Sequence, residues 1–237
     1  MRIGKCIMEN YVYIENNLKS LTEEISSLAE KEGRSVTLVS VTKSGTDEEL
    51  IALCRAGASD VGENRPQELV RRGALLSEQG LSPRLHEIGN LQRNKVKYII
   101  DRVALIHSLD SEPLAAEIDR QAKRVGRRVP VLIEINSGRE EAKGGIMPEC
   151  AEKFAEAVRK YENLSLSGVM TMGPALDKEE ELRPYFRLTK EIFDNLKAKG
   201  YFEGDGILSM GMSDSYRVAI EEGSTLVRVG RRLFSKE

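Results

Sequence analysis

Eight short apolar runs with strand character recur along the chain, at residues 36–42, 58–62, 85–89, 103–107, 131–136, 164–170, 207–210 and 225–230. Between them lie amphipathic stretches at 47–56, 66–78, 91–100, 113–125, 148–161, 179–199 and 213–222, and a further one, 9–31, precedes the first strand. Strands alternating with helices imply right-handed crossovers and a parallel sheet. The expected class is therefore α/β. Eight strands and eight helices in 237 residues, with no linker, favour a single (β/α)8 TIM barrel over residues 1–237, its N-terminal segment 1–35 packing as helix on the barrel. Periodicity cannot count strands that close on themselves, so an open doubly wound sheet also satisfies the pattern.

The helix boundaries have physical causes. Thr46 and Glu49 have the spacing of a capping box, and Gly57 can take the left-handed conformation that ends the helix between them. Leu114, Ile118, Ala122 and Val125 fall on one face before Gly126, as do Leu182, Phe186, Thr189, Ile192, Phe193 and Leu196 before Gly200. Each such helix has one face to bury against a sheet.

Composition removes several function classes. Hydrophobic residues make up 40% and charged residues 31%, as in ordinary globular proteins, and no run is long and apolar enough to span a bilayer. The N-terminus carries no continuous apolar segment, so it is not read as a secretory signal, and the expected location is cytoplasmic. The 36 basic and 38 acidic side chains are mixed along the length, leaving no basic field for nucleic acid. The pairs Arg71-Arg72, Arg127-Arg128 and Arg231-Arg232 are isolated, and two of the three are placed beside helix ends, where cations are favoured. Cys6, Cys54 and Cys150 are widely separated, which gives neither a disulfide framework nor a paired-cysteine metal site.

Polar residues at strand ends carry the candidate chemistry, because the carboxyl mouth of a parallel barrel is where sites form. Lys43 closes the alternating run Val36-Thr37-Leu38-Val39-Ser40-Val41-Thr42. A partly desolvated amine there can lose its proton and condense with a carbonyl, though a solvated lysine ending a strand has the same sequence. The loop Ser209-Met210-Gly211-Met212-Ser213 offers small residues, free N–H groups and hydroxyls to an anion, with Ser213 also suited to cap the next helix. Alternation in Thr225-Leu226-Val227-Arg228-Val229-Gly230 sets Arg228 against Val227 and Val229, so Arg228 points into the barrel or its rim. Its acceptor there is a phosphate, a ring nitrogen or an internal carboxylate. Asn64 and Asn136 end strands too, and suit either ring orientation or loop capping. His86 and His107 lack companion metal ligands and read as satisfied histidines on or near strands.

Six segments in order carry a resemblance. They are Val39-Ser40-Val41-Thr42-Lys43, Gly62-Glu63-Asn64-Arg65-Pro66-Gln67-Glu68, His86-Glu87-Ile88-Gly89-Asn90-Leu91-Gln92-Arg93-Asn94-Lys95, Gly168-Val169-Met170-Thr171-Met172, Leu208-Ser209-Met210-Gly211-Met212-Ser213-Asp214 and Gly223-Ser224-Thr225-Leu226-Val227-Arg228-Val229-Gly230. From Val36 onward the chain resembles the pyridoxal phosphate homeostasis proteins, the YggS or PROSC-like family.

That resemblance implies a barrel of the alanine racemase N-terminal type with pyridoxal 5′-phosphate as cofactor. It matches Lys43 to the lysine of the internal aldimine and places Ser209, Ser213 and Gly230, with Thr225 as a weaker candidate, at the phosphate loops. Arg228 matches the arginine that faces the pyridine nitrogen, and a cation there makes the ring a poor electron sink. Thr42 stands where serine is common, Leu85 and Glu87 replace aromatics, Arg231 replaces a small residue and Phe234-Ser235 replaces Phe-Gly. The chain stops just after the eighth strand, so the second domain with which two-domain racemases complete their sites is not expected. The implied role is a carrier or regulator of vitamin B6, serving pyridoxal-phosphate-requiring apoenzymes without robust catalysis. The rival is a minimal racemase, with Tyr216 or a partner chain giving the missing proton. A monomer is expected, with a dimer left open.

Overall fold

The eight strands form one closed parallel barrel in sequence order, which excludes the open sheet. The computed structural model describes residues 10–140, 143–176 and 178–236. The strands are β1 (Thr37–Val41), β2 (Asp60–Glu63), β3 (Arg84–Glu87), β4 (Val103–Leu109), β5 (Val129–Glu134), β6 (Leu164–Met170), β7 (Ile207–Ser209) and β8 (Leu226–Val229). Closure is made by β8 against β1, with Thr37 opposite Leu226 and Ser40 opposite Val229.

The helices are α1 (Val12–Lys31), α2 (Asp47–Arg55), α3 (Pro66–Glu78), α4 (Val96–Ile99), α5 (Glu112–Arg124), α6 (Ala151–Val158), α7 (Arg183–Ala198), α8 (Tyr216–Glu221) and α9 (Arg231–Phe234). The capping box at α2 is formed: the Glu49 amide donates to Thr46 Oγ1 and the Thr46 amide to the Glu49 carboxylate. Val39, Leu105, Leu132, Met170 and Leu226, from five strands, touch one another, and such side chains can meet only inside the barrel. Outside, Ile14, Leu18, Leu21 and Ile25 lay one face of α1 against Tyr216, Ile220, Val227 and Val229, so α1 covers the outer surface of β8 and α8.

Two expected helices differ most. Residues 91–100 carry only a 3-10 turn, Arg93–Lys95, followed by the single turn α4. Gln92 is extended, with φ −70° and ψ 137°, which excludes Leu91 from any helix. Helix α8 begins at Tyr216, three residues later than expected, and Ser215 rather than Ser213 stands at its N-cap, its Oγ accepting from the Met212 amide at 3.1 Å. Arg72 lies inside α3 and is buried. Cys54 is buried, with its thiol pushed up to about 12 by that burial, and Cys150 is exposed; Cys6 lies outside the described residues.

Candidate functional site

A cavity of about 890 Å³ opens at the C-terminal mouth of the barrel, and Lys43, Asn64, Ser213, Arg228 and Gly230 all line it. Its size falls in the range of small-molecule sites, on the order of 300–1,000 Å³. Five of the residues expected from sequence are thus brought together from four strand ends.

Lys43 reaches the cavity because it continues the inward parity of β1. Val39 packs in the barrel interior and Val41 lines the cavity, and every second side chain of a strand shares a face. The turn carrying it is clamped from outside. Arg72 donates to the Thr42 carbonyl at 2.6 Å, the Gly45 carbonyl at 2.7 Å and the Glu63 carboxylate at 2.7 Å, while Thr42 Oγ1 donates to Glu63. The Lys43 side chain is exposed to the opening rather than desolvated, with no hydrogen-bond or ion-pair partner among the described residues. Its amine is free to meet an incoming group.

Across the mouth, Ser213 Oγ accepts from the backbone amides of Gly230 and Arg231, each at 3.2 Å. Two amides and a hydroxyl converging at a cavity rim form a cradle for anionic oxygens. Glycine is required at 230 because a Cβ there would lie 2.7 Å from the Val41 carbonyl oxygen. Gly211, with φ +92°, turns the loop from β7 toward α8, and a Cβ would meet that of Ala219 at 2.5 Å.

Arg228 is the buried cation at the cavity wall. Its Nη1 donates to Ser209 Oγ at 2.5 Å, and its Nη2 to the Thr171 carbonyl at 3.0 Å and Met172 Sδ at 3.4 Å. Burial lowers its pKa to about 10, against the pull of the Glu134 carboxylate; the group stays charged at neutral pH. No carboxylate forms an ion pair with it among the described residues, so of the acceptors considered for it the internal carboxylate is not the one in contact. Glu134, at the end of β5, also lines the cavity. Burial and the neighbouring Asp110 raise its carboxyl to about 7, while Arg228 acts in the opposite direction. Sequence reasoning missed Glu134, whose only signal was its place near the end of an apolar run.

The remaining residues lie elsewhere. Ser209 is fully buried behind Arg228 and does not line the cavity. Thr225 precedes β8 at the opposite, N-terminal mouth, where its hydroxyl accepts from the Leu208 amide at 2.8 Å; it is not brought to the cavity. Asn136 lines the cavity and caps the following loop, donating to the Glu140 carbonyl at 2.9 Å. Tyr216, considered as a proton source, is buried outside the barrel, where its hydroxyl donates to Glu24 at 2.6 Å. His86 and His107 are hydrogen-bonded inside the barrel, and no cluster of three or more metal-ligating side chains occurs among the described residues. Nor is any described helix long and apolar enough to cross a membrane.

A closed parallel barrel with a free lysine at the end of its first strand, an anion cradle after the seventh and eighth, and a buried arginine between them defines an alanine-racemase-like barrel. The family model for the alanine racemase N-terminal domain matches residues 16–236. The pyridoxal phosphate homeostasis protein of Aquifex aeolicus is 40% identical over 222 residues, covering 92% of this chain and 96% of that one. An unknown protein from Bifidobacterium adolescentis superposes with a TM-score of 0.85 at 33% identity, covering 94% and 95% of the two chains. PipY of Synechococcus elongatus, solved with PLP bound, superposes at 0.81 with 26% identity, over 94% of this chain and 100% of that one. The chain belongs to the pyridoxal phosphate homeostasis protein family.

Proposed function

We propose that the cavity binds pyridoxal 5′-phosphate, with Lys43 joined to its aldehyde as an imine, and that the protein serves intracellular vitamin B6 and amino-acid homeostasis as a carrier or regulator. The observation that carries this reading is the sharing of one cavity by the free Lys43 amine, the Arg228 cation and the Ser213–Gly230 cradle. Ser213 and the amides of Gly230 and Arg231 hold the phosphate, Asn64 flanks the ring and Arg228 faces the ring nitrogen. Bound pyridoxal phosphate supplies an electrophilic aldehyde and an electron-withdrawing ring. A guanidinium beside the ring nitrogen disfavours its protonation, which weakens that electron withdrawal and suits storage and transfer to apoenzymes better than turnover.

One observation favours a second reading, a weak amino-acid racemase: Glu134 titrates near neutrality on the cavity wall, as a proton-transfer group must. Titration of the purified chain with pyridoxal phosphate tests the first reading. A visible absorbance band is expected in the wild type and not in Lys43→Ala, and failure of the wild type to take up the cofactor would refute it. Racemisation well above that of free pyridoxal phosphate would favour the second.

A further inference from the structure

An unbroken chain of buried hydrogen bonds crosses the barrel interior from Arg228 to the opposite mouth. Arg228 Nη1 meets Ser209 Oγ at 2.5 Å, Ser209 Oγ meets His107 Nδ1 at 3.1 Å, His107 Nε2 meets His86 Nδ1 at 3.0 Å and His86 Nε2 meets Asp60 Oδ1 at 2.8 Å. All five residues are less than 5% exposed. Asp60 stands at the start of β2, where Arg84 and Ser59 hold its second oxygen. Burial works against its charge, yet the hydrogen bonds from His86, Arg84 and Ser59 keep its carboxyl at about 2.

The donors in this chain follow from its ends. Arginine only donates, so Ser209 Oγ accepts from it and keeps its own proton for His107 Nδ1. An ionised Asp60 only accepts, so the proton between it and His86 sits on His86 Nε2. With both rings neutral, His107 Nε2–H donates to His86 Nδ1, and each intermediate group donates once and accepts once. Burial, with the nearby Arg228 cation adding to it, holds His107 well below the ordinary histidine range, which agrees with a neutral ring.

We propose that His107 is a positioning residue for Arg228: through Ser209 it fixes the orientation of the guanidinium presented to the cavity, and it takes its own orientation from His86 and Asp60. A buried guanidinium has few alternative acceptors, and its planar fork makes its direction matter. The bearing on the cofactor rests on the reading proposed above; the hydrogen-bond chain itself does not.

The chain contains only two histidines, so nitrogen NMR of the full-length, [15N]histidine-labelled protein without ligand resolves each ring nitrogen. Both rings are expected as Nε2–H tautomers at neutral pH, and Ser209→Ala should move His107 Nδ1 toward a free nitrogen while leaving His86 Nε2 in place. A His107 ring protonated at Nδ1, or a His107 indifferent to Ser209→Ala, would overturn the proposal; the wild-type spectrum decides even if a substituted chain does not fold. In a second arm, His107→Leu should weaken pyridoxal phosphate binding about tenfold, on the scale of one lost hydrogen bond. His107→Asn, whose amide can reach Ser209 in place of Nδ1, should restore most of it, and equal losses in the two variants would contradict the positioning role. Wild-type protein that binds no pyridoxal phosphate while its ring nitrogens behave as expected would sink the cofactor reading and leave the positioning of Arg228 standing.

Discussion

Arg72 and Glu63 form a buried ion pair at 2.7 Å that ties α3 to the end of β2 and, through the Thr42 and Gly45 carbonyls, to the turn bearing Lys43. The pair sits outside the barrel wall, yet it sets the backbone from which the cavity's amine projects.

Removing one partner strands the other charge. Arg72→Ala is expected to cost about 3–5 kcal/mol, because Glu63 then stays buried without its cation. Equilibrium unfolding in urea checks this, and adding Glu63→Gln should recover part of the loss. A cost no larger than that of an exposed arginine would show the clamp to be dispensable.

Stability should also depend on pH through Glu87. Burial raises its carboxyl from 4.5 to about 8, with Glu63 adding to the effect and the Gly89 amide opposing it. Between those values the folded chain holds a proton that the unfolded chain has released, so this group's contribution falls as pH rises from 4.5 to 8. Glu87→Gln should match the wild type near pH 5 and exceed it above pH 8, by an amount on the order of 5 kcal/mol. Thermal melts across that window measure it, and a constant difference at every pH would contradict the assignment.

Glu134 offers a test of the cavity's electrostatics. Its carboxyl, at about 7, is pushed up by burial and Asp110 and pulled down by Arg228. Carbon NMR titration should therefore show it rising in Arg228→Met and falling in Asp110→Asn. Shifts of the same sign in both variants would mean that the two charges do not both act on it.

Tyr216 lies on the outer layer, bound to Glu24 and Arg232 beneath α1. Tyr216→Phe should cost about 1–3 kcal/mol of stability, the worth of a hydrogen bond to a charged group, and leave pyridoxal phosphate affinity unchanged. Equilibrium titration alongside a melt separates the two effects.

Much of this architecture was legible in the sequence because its signals are local. The period-two run before Lys43 set its inward parity, and the eight-fold alternation predicted the barrel. The bounds of β6 and α3 coincide with those read from apolar pattern and proline position. Ser213 misled as a cap because its hydroxyl serves the Gly230 and Arg231 amides, partners seventeen and eighteen residues away. Arg72, Glu134 and the linkage of His86 to His107 were hidden for the same physical reason. Alternation says which way a side chain points, but not which neighbour from another strand or helix it meets, and burial of a charge follows from that neighbour.

The proposed function rests on a covalent bond at one amine. Borohydride reduction of the chain after addition of pyridoxal phosphate, followed by mass mapping of the peptides, tests it most directly. A single reduced pyridoxyl-phosphate adduct is expected on the peptide containing Lys43, absent from Lys43→Ala. An adduct at another lysine, or none in the wild type, would contradict it.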